Sequence, residues 1–222
     1  MNQELLEKGF IIVKNVFTEE EVSFFRKISL EYFNNKGGFA SSTGRAKPDW
    51  IKEDRLSLLY EKWRYKNMES IIEGLVGEKV EFVGHNDLHL NRNTNWHKDR
   101  LNDEARKFEL NSPWETIDGQ TMKIYKVNFY MQSHLNNQDG LAVILGSHKT
   151  EEIDTSKNLI YLCPDIGDIV IFDQRITHMG RWSKGYDRIL LCMGYGVKNI
   201  FFEQFKNGTE FRQNKQNRLI RG

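Results

Sequence analysis

Past Gly77 the sequence loses its helical period and breaks into short segments of strand character, and this change most restricts the folds open to it. The segments run from Val80 to Asn91, Lys123 to Gln132, Leu141 to Leu145, Leu159 to Leu162, Asp168 to Phe172 and Arg188 to Val197. Two of them alternate. His85, Asp87, His89 and Asn91 fall on one face of the first; in the second, Val127, Phe129 and Met131 stand opposite Lys126, Asn128, Tyr130 and Gln132. Turn-forming clusters separate the segments, among them Asn136-Asn137-Gln138-Asp139-Gly140, Gly167-Asp168 and Gly185. With no clear helical pattern between them, an antiparallel sandwich or jelly roll is predicted, mainly β with helices packed outside one sheet.

Those helices come from the first third, about residues 1–77. Thr18-Glu19-Glu20-Glu21 is a capping box with Thr18 as N-cap. From Glu19 to about Phe33, Val22, Phe25, Ile28 and Tyr32 recur at helical spacing with Ser29 on the same face. Gly9 to Val13 reads as a short strand, Gly37 to Pro48 as a loop, and Arg55 to Leu75 as a second helical stretch. A chain of 222 residues suits one domain, 1–222, with the jelly-roll core over about 78–200. At this length roughly 70% of the unfolded surface leaves water on folding. With 32 basic against 31 acidic residues, nothing favours a nucleic acid or a membrane surface as partner. The Met1 end is polar rather than a signal peptide, and no apolar run approaches the roughly 20 residues of a membrane span. Cys163 and Cys192 lie beside apolar runs, which reads as buried free thiols in a reducing cytoplasm.

Three side chains suit a metal. His97 and Asp99 stand in Asn-Trp-His-Lys-Asp, and His178 stands in Ile-Thr-His-Met-Gly. Two imidazoles and a carboxylate are the donor set that holds non-haem Fe(II) and leaves positions open for substrate and oxygen. His85-Asn86-Asp87 has the same spacing and is the rival pair. His97 and Asp99 are preferred because they follow an irregular Asn-rich stretch where a strand end can turn both toward one point, with Trp96 beside them as a shield. His85, Asp87 and His89 sit in a more regular strand, as pocket lining or as groups that orient the ligands. The stretch Gly167 to Asp173 reads as turn, buried strand and polar exit, which delivers His178 to a sheet edge; the plainer alternative is a hairpin with an incidental histidine. Arg188 opens the apolar run Arg-Ile-Leu-Leu-Cys-Met, where a cation is costly unless paired. A bound carboxylate gripped by the planar guanidinium satisfies it, as would a salt bridge to a distant Asp or Glu.

In order along the chain, several stretches resemble the phytanoyl-CoA dioxygenase family of Fe(II)- and 2-oxoglutarate-dependent oxygenases. Gly-Phe-Ile-Ile-Val-Lys-Asn-Val-Phe-Thr-Glu-Glu-Glu-Val (9–22) is similar to its N-terminal strand and helix, and Trp-His-Lys-Asp (96–99) resembles its proximal iron motif. Asp-Gly-Leu-Ala-Val-Ile-Leu-Gly-Ser-His-Lys (139–149) resembles its Pro-Gly-Ser-His-Lys element, with Leu145 where proline is usual. Gly-Asp-Ile-Val-Ile-Phe (167–172), His178 and Arg188 are similar to its distal ligand region and its 2-oxoglutarate clamp. The resemblance implies a double-stranded β-helix, a cupin-like jelly roll. It implies that His97, Asp99 and His178 bind Fe(II), that Arg188 holds 2-oxoglutarate, and that Asn128 and Tyr130 face the co-substrate. It places His148 in a structural turn. The reaction implied is hydroxylation of a small molecule by O2, with succinate and CO2 released. The carboxylate of Asp99 favours hydroxylation over halogenation and leaves desaturation and ring closure open.

The chain departs from the family pattern in a polar, charged insert, Leu101 to Thr121, read as a lid over the open side of the metal or as a solvated charged loop. Lys98, Arg100 and His89 are the predicted substrate contacts, Arg100 foremost, for a small polar and anionic metabolite. Two other readings fit the same residues: a non-catalytic binding protein on this fold, and a cupin-type metal enzyme that does not use 2-oxoglutarate.

Overall fold

The computed structural model describes residues 2–181 and 185–221, without the side chains of 219–221. Ten strands form two sheets. The first part of the chain supplies α1 (Gln3–Lys8), β1 (Phe10–Val13), α2 (Glu19–Asn34), β2 (Phe39–Ser41), β3 (Gly44–Pro48), α3 (Ser57–Tyr65) and α4 (Met68–Val76). The remainder supplies β4 (Glu81–Leu90), β5 (Ile124–Tyr130), β6 (Leu141–Ile144), β7 (Leu159–Leu162), β8 (Ile169–Asp173), β9 (His178–Gly180), β10 (Ile189–Gly196) and α5 (Ile200–Arg221). The large sheet runs β1-β8-β5-β10-β4-β3-β2 and the small one β7-β6-β9, with antiparallel pairing throughout. This is the predicted jelly roll.

Alternation along the central strands sorts side chains into two layers. Leu88, Val127, Phe129, Ile171, Leu191 and Met193 turn outward into one apolar cluster with α2, α3 and α4. Phe129 is its centre, stacked on Phe17 at 4.1 Å and meeting Phe25 edge-on at 5.4 Å. The capping box at Thr18 forms as predicted: Glu21 N–H donates to Thr18 Oγ1, and Thr18 N–H donates to Glu21 Oε2. Such a cap holds a helix start by about 1 kcal/mol. On the other face Tyr130, Val170 and Phe172 meet Leu141, Val143 and Leu162 of the small sheet, closing one end of the sandwich.

Four expectations change. Gly37 to Pro48 is not a loop: β2 and β3 form a hairpin, and β3 extends the large sheet along β4. Its composition has little strand propensity, but the open edge of β4 supplies the partner. The helical stretch from Arg55 splits into α3 and α4 at Asn67, whose backbone is left-handed (φ 48°) and whose side chain caps α4 at Ser70 N–H. Asn91 leaves the face of His85, Asp87 and His89: it lies beyond β4 with φ 55° and bonds the backbone of Arg188 instead. Finally, the strand reading of the second half leaves out the long helix α5. Its signals are an N-cap, Asn199 Oδ1 accepting from Phe201 and Phe202 N–H, and aromatic residues at 201, 202, 205 and 211. Among the described residues no helix is long and apolar enough to cross a membrane.

Candidate metal centre and its cavity

The irregular chain after β4 brings the three predicted ligands together. Thr94 N–H donates to Gly180 O, and Gly180 N–H returns a bond to Thr94 Oγ1. One step on, His97 and His178 exchange both backbone bonds (3.0 and 2.9 Å), so the two residues stand directly opposite each other. Their rings lie 4.3 Å apart. Asp99 follows two residues after His97, on the same side of an extended chain. Its backbone is pinned by Gln174, whose Nε2 donates to Asp99 O at 2.7 Å. Ligand atoms of His97, Asp99 and His178 all lie within 4.8 Å of one another.

Each imidazole is fixed from behind. His97 Nδ1 faces Asn95 O at 2.7 Å, and His178 Nδ1 faces Ile176 O at 3.0 Å. Carbonyls only accept, so each Nδ1 carries a proton, and in the neutral ring each Nε2 presents its lone pair to a metal. Both Nε2 atoms point at one oxygen, Asp99 Oδ1, at 3.4 Å from His97 and 3.8 Å from His178. That convergence leaves a focus for a divalent cation, with positions open on the cavity side. Burial alone would raise the Asp99 carboxyl, but in the acid range where it titrates the protonated His178, Lys126 and a hydrogen bond from protonated His97 outweigh burial and hold the group well below the usual carboxylate range. Burial pushes His178 down to about 4, so it is neutral, the state in which it can bind a metal.

The centre opens into a cavity of about 660 Å³. Inward residues of the large sheet form its floor in register: His89, Leu190 and Tyr130 side by side, then Asp87, Cys192 and Asn128, then Lys126 opposite Gly194. Gly194 is required here, because a Cβ would lie 2.8 Å from Val83 Cγ1 and 3.1 Å from His85 Cβ. Arg188 reaches in from the head of β10 and is 2% exposed. Among the described residues its guanidinium donates to the carbonyls of Arg92 and Gly140, its Nε has no hydrogen-bond partner, and no carboxylate pairs with it. Burial lowers its pKa. Tyr130 Oη and Asn128 Oδ1 are also buried with no hydrogen-bond partner of normal geometry among the described residues. Groups of this kind each cost about 1–3 kcal/mol when left unsatisfied, so an apolar floor would be more stable.

The rival pair is otherwise engaged. Asp87 takes both guanidinium nitrogens of Arg212 from α5, at 3.1 and 3.3 Å, and His85 Nδ1 lies 3.3 Å from Arg212. Burial drives His85 well below its ordinary value and His89 down to about 3. His148 holds the turn after β6, with Nε2 on Leu6 O at 3.0 Å.

The insert is not a free lid. Leu101, Ala105, Phe108 and Ile117 pack with Phe201, Phe202, Phe205 and Phe211 of α5 in a third apolar cluster. Leu101 presses on Gly208, where a Cβ would collide with its side chain. Trp114 Nε1 donates to His148 O at 3.0 Å. The charges read as solvated belong to a short helical turn whose apolar side is buried, and insert and helix together make one wall of the cavity. Two of the predicted substrate contacts are taken within the protein. Arg100 is ion-paired to Glu109 and Glu151, and Lys98 Nζ donates to the carbonyls of Ser147 and Arg175. His89 does face the cavity. The group that sequence reasoning placed on this face without assigning it a role is Lys126. It is 1% exposed, and its only ion-pair partner among the described residues is Asp99, 3.9 Å from Nζ.

No family model and no curated protein matches this chain. Solved structures do. HygX from Streptomyces hygroscopicus, with nickel and 2-oxoglutarate bound, is 17% identical, with a TM-score of 0.63 over 89% of this chain and 87% of that one. EctD from S. alaskensis, with 2-oxoglutarate and 5-hydroxyectoine, is 16% identical, with a TM-score of 0.65 over 88% and 74%. SnoK, a non-haem α-ketoglutarate-dependent carbocyclase of nogalamycin biosynthesis, is 16% identical, with a TM-score of 0.63 over 87% and 81%. The chain has the fold of these proteins.

Proposed function

We propose that the protein is a non-haem Fe(II)- and 2-oxoglutarate-dependent dioxygenase that hydroxylates a small polar metabolite. The observation that carries this reading is Arg188. A buried guanidinium without a carboxylate partner lines the same cavity as a convergent His-Asp-His set, beside the unpartnered Tyr130 Oη and Asn128 Oδ1. Those orphaned groups match a carboxylate and its neighbours, and the donor set suits Fe(II). The fold shared with HygX and EctD, both crystallised with 2-oxoglutarate, supports the same reading.

In this reading His97, Asp99 and His178 hold the metal, which when bound supplies oxygen activation coupled to oxidative decarboxylation of the co-substrate. The protein's part is to bind, orient and exclude. Asn95 O and Ile176 O fix the imidazole tautomers. Arg188 holds the far carboxylate of 2-oxoglutarate in two parallel hydrogen bonds, with Asn128 and Tyr130 as neighbouring polar contacts. Val170, Phe172 and Leu141 keep water from the closed end of the sandwich. The unpaired thiols Cys163 and Cys192 fit a reducing cytoplasm as the working compartment. The test is stoichiometric. Protein incubated with Fe(II), O2 and 2-oxoglutarate should form succinate and CO2, and a host metabolite extract should yield one species heavier by a single oxygen. Metal-loaded protein that neither binds nor turns over 2-oxoglutarate would leave the reading without its co-substrate.

A further inference from the structure

The cavity is unevenly charged. Six cationic side chains line it, Arg92, Lys98, Arg100, Lys126, Arg188 and Arg212, against two carboxylates, Asp87 and Asp99. Arg212 is neutralised by Asp87, Arg100 by Glu109 and Glu151, and Lys98 is held by carbonyls. Under the proposed function, on which this inference rests, Arg188 serves the co-substrate and Asp99 the metal. Of the two cations then left, Arg92 is partly exposed, whereas Lys126 is a buried ammonium whose Nζ donates no hydrogen bond to any described residue. It projects from β5 toward α5, with Phe205 5.0 Å from Nζ and Thr209 and Arg212 on the same helix lining the cavity. A buried charge of this kind needs a compensating anion. Leu101 and Ala105 make the rest of that wall apolar.

We propose that Lys126, with Thr209 of α5 beside it, binds the anionic head of the prime substrate, a carboxylate or a phosphate on a short apolar body. The chemistry is a charge-assisted hydrogen bond from Nζ, with the apolar body lying along Phe205 and Leu101. Because Lys126 also faces Asp99, an anion held there brings its neighbouring C–H bonds close to the metal, which a site for the oxidised molecule requires. The substrate contact thus moves from Arg100, whose charge is taken, to a residue on the opposite wall.

The test uses the full-length protein loaded with Ni(II) and saturated with 2-oxoglutarate, titrated calorimetrically with inorganic phosphate, acetate and, as a neutral control, acetamide. Phosphate or acetate should bind at one saturable site and acetamide should not; the tighter of the two anions identifies the head group. Lys126→Met should weaken that binding about tenfold or more, the size of one lost charge-assisted hydrogen bond. Thr209→Val, which removes the hydroxyl from the same face at nearly constant volume, should weaken it too and decides the matter if Lys126→Met does not fold. Equal anion binding in wild type and both variants overturns the inference and leaves Lys126 as a positioning residue for Asp99. Anion binding lost only in Arg188→Met also overturns it, since the anion is then in the co-substrate clamp. If wild-type protein fails to bind 2-oxoglutarate, the proposed function falls, while phosphate titration without 2-oxoglutarate still decides the role of Lys126.

Discussion

The two faces of the large sheet are built from the same strands and differ in every second residue. Outward from β5 and β10 stand Val127, Phe129, Leu191 and Met193, packed on helices in a dry core. Inward stand Lys126, Asn128, Tyr130 and Cys192, with Arg188 at the head of β10, around a cavity in which several polar groups have no partner. The outer face is what a stable sheet needs. The inner face works against stability, since each unpartnered polar group and the unneutralised cation weaken folding. The contrast separates residues that maintain the fold from residues that bind something absent from the folded chain alone.

The comparison breaks most sharply at the ligands. Asp99→Ala, His97→Ala and His178→Ala should each abolish Fe(II) binding and 2-oxoglutarate turnover while leaving the thermal midpoint close to wild type; metal content and calorimetric titration measure the first, a melting curve the second. His85→Ala should keep the metal. If it loses iron while His97→Ala does not, the wrong His-x-Asp pair has been assigned. Phe129→Ala on the outer face should do the reverse, costing about 3–5 kcal/mol in denaturant unfolding with metal affinity intact in the folded fraction.

Arg212 belongs to both classes, which makes it a sharper probe. Arg212→Ala leaves Asp87 buried without its partner and should destabilise by about 3–5 kcal/mol. The double variant with Asp87→Leu should recover much of that loss. If it recovers none, the pair is not what anchors α5 to β4. A smaller effect is expected from Arg188→Lys, which keeps charge and loses the planar fork. The apparent constant for 2-oxoglutarate should rise about tenfold, and a change confined to the affinity of the prime substrate would contradict the clamp role.

A further expected effect is a pH dependence. Burial pushes His89 down to about 3 from an ordinary 6.5. The unfolded chain therefore takes up a proton at a pH where the folded chain does not. The contribution of His89 to stability is complete above 6.5 and declines as pH falls towards 3. Melting temperatures of the metal-free protein across that window should fall more steeply for wild type than for His89→Gln. Parallel curves would mean that the His89 pocket is wetter than its burial implies.

Much of this division is legible in the sequence. Period-two alternation in Lys123 to Gln132 separates the dry face from the polar one, and the capping box at Thr18 and the spacing of His97 and Asp99 are local facts. Local signals fail where a partner elsewhere decides the outcome. The Gly- and Ser-containing stretch from Gly37 becomes strand because the edge of β4 is open to it. The insert becomes a wall because α5 offers it a row of phenylalanines and a gap at Gly208.

The sequence by itself determined the period of each strand, the alternating faces, the helix start at Thr18 and the ligand types, because each depends on residues within a few positions of one another. Only the tertiary structure decided that His178 stands beside His97, that Arg100 is neutralised by Glu109 and Glu151, and that Arg188 enters without a carboxylate partner the cavity where Lys126 faces Asp99. Charge compensation and burial depend on which groups meet across the fold, and no local pattern records which cation finds a carboxylate and which is left without one.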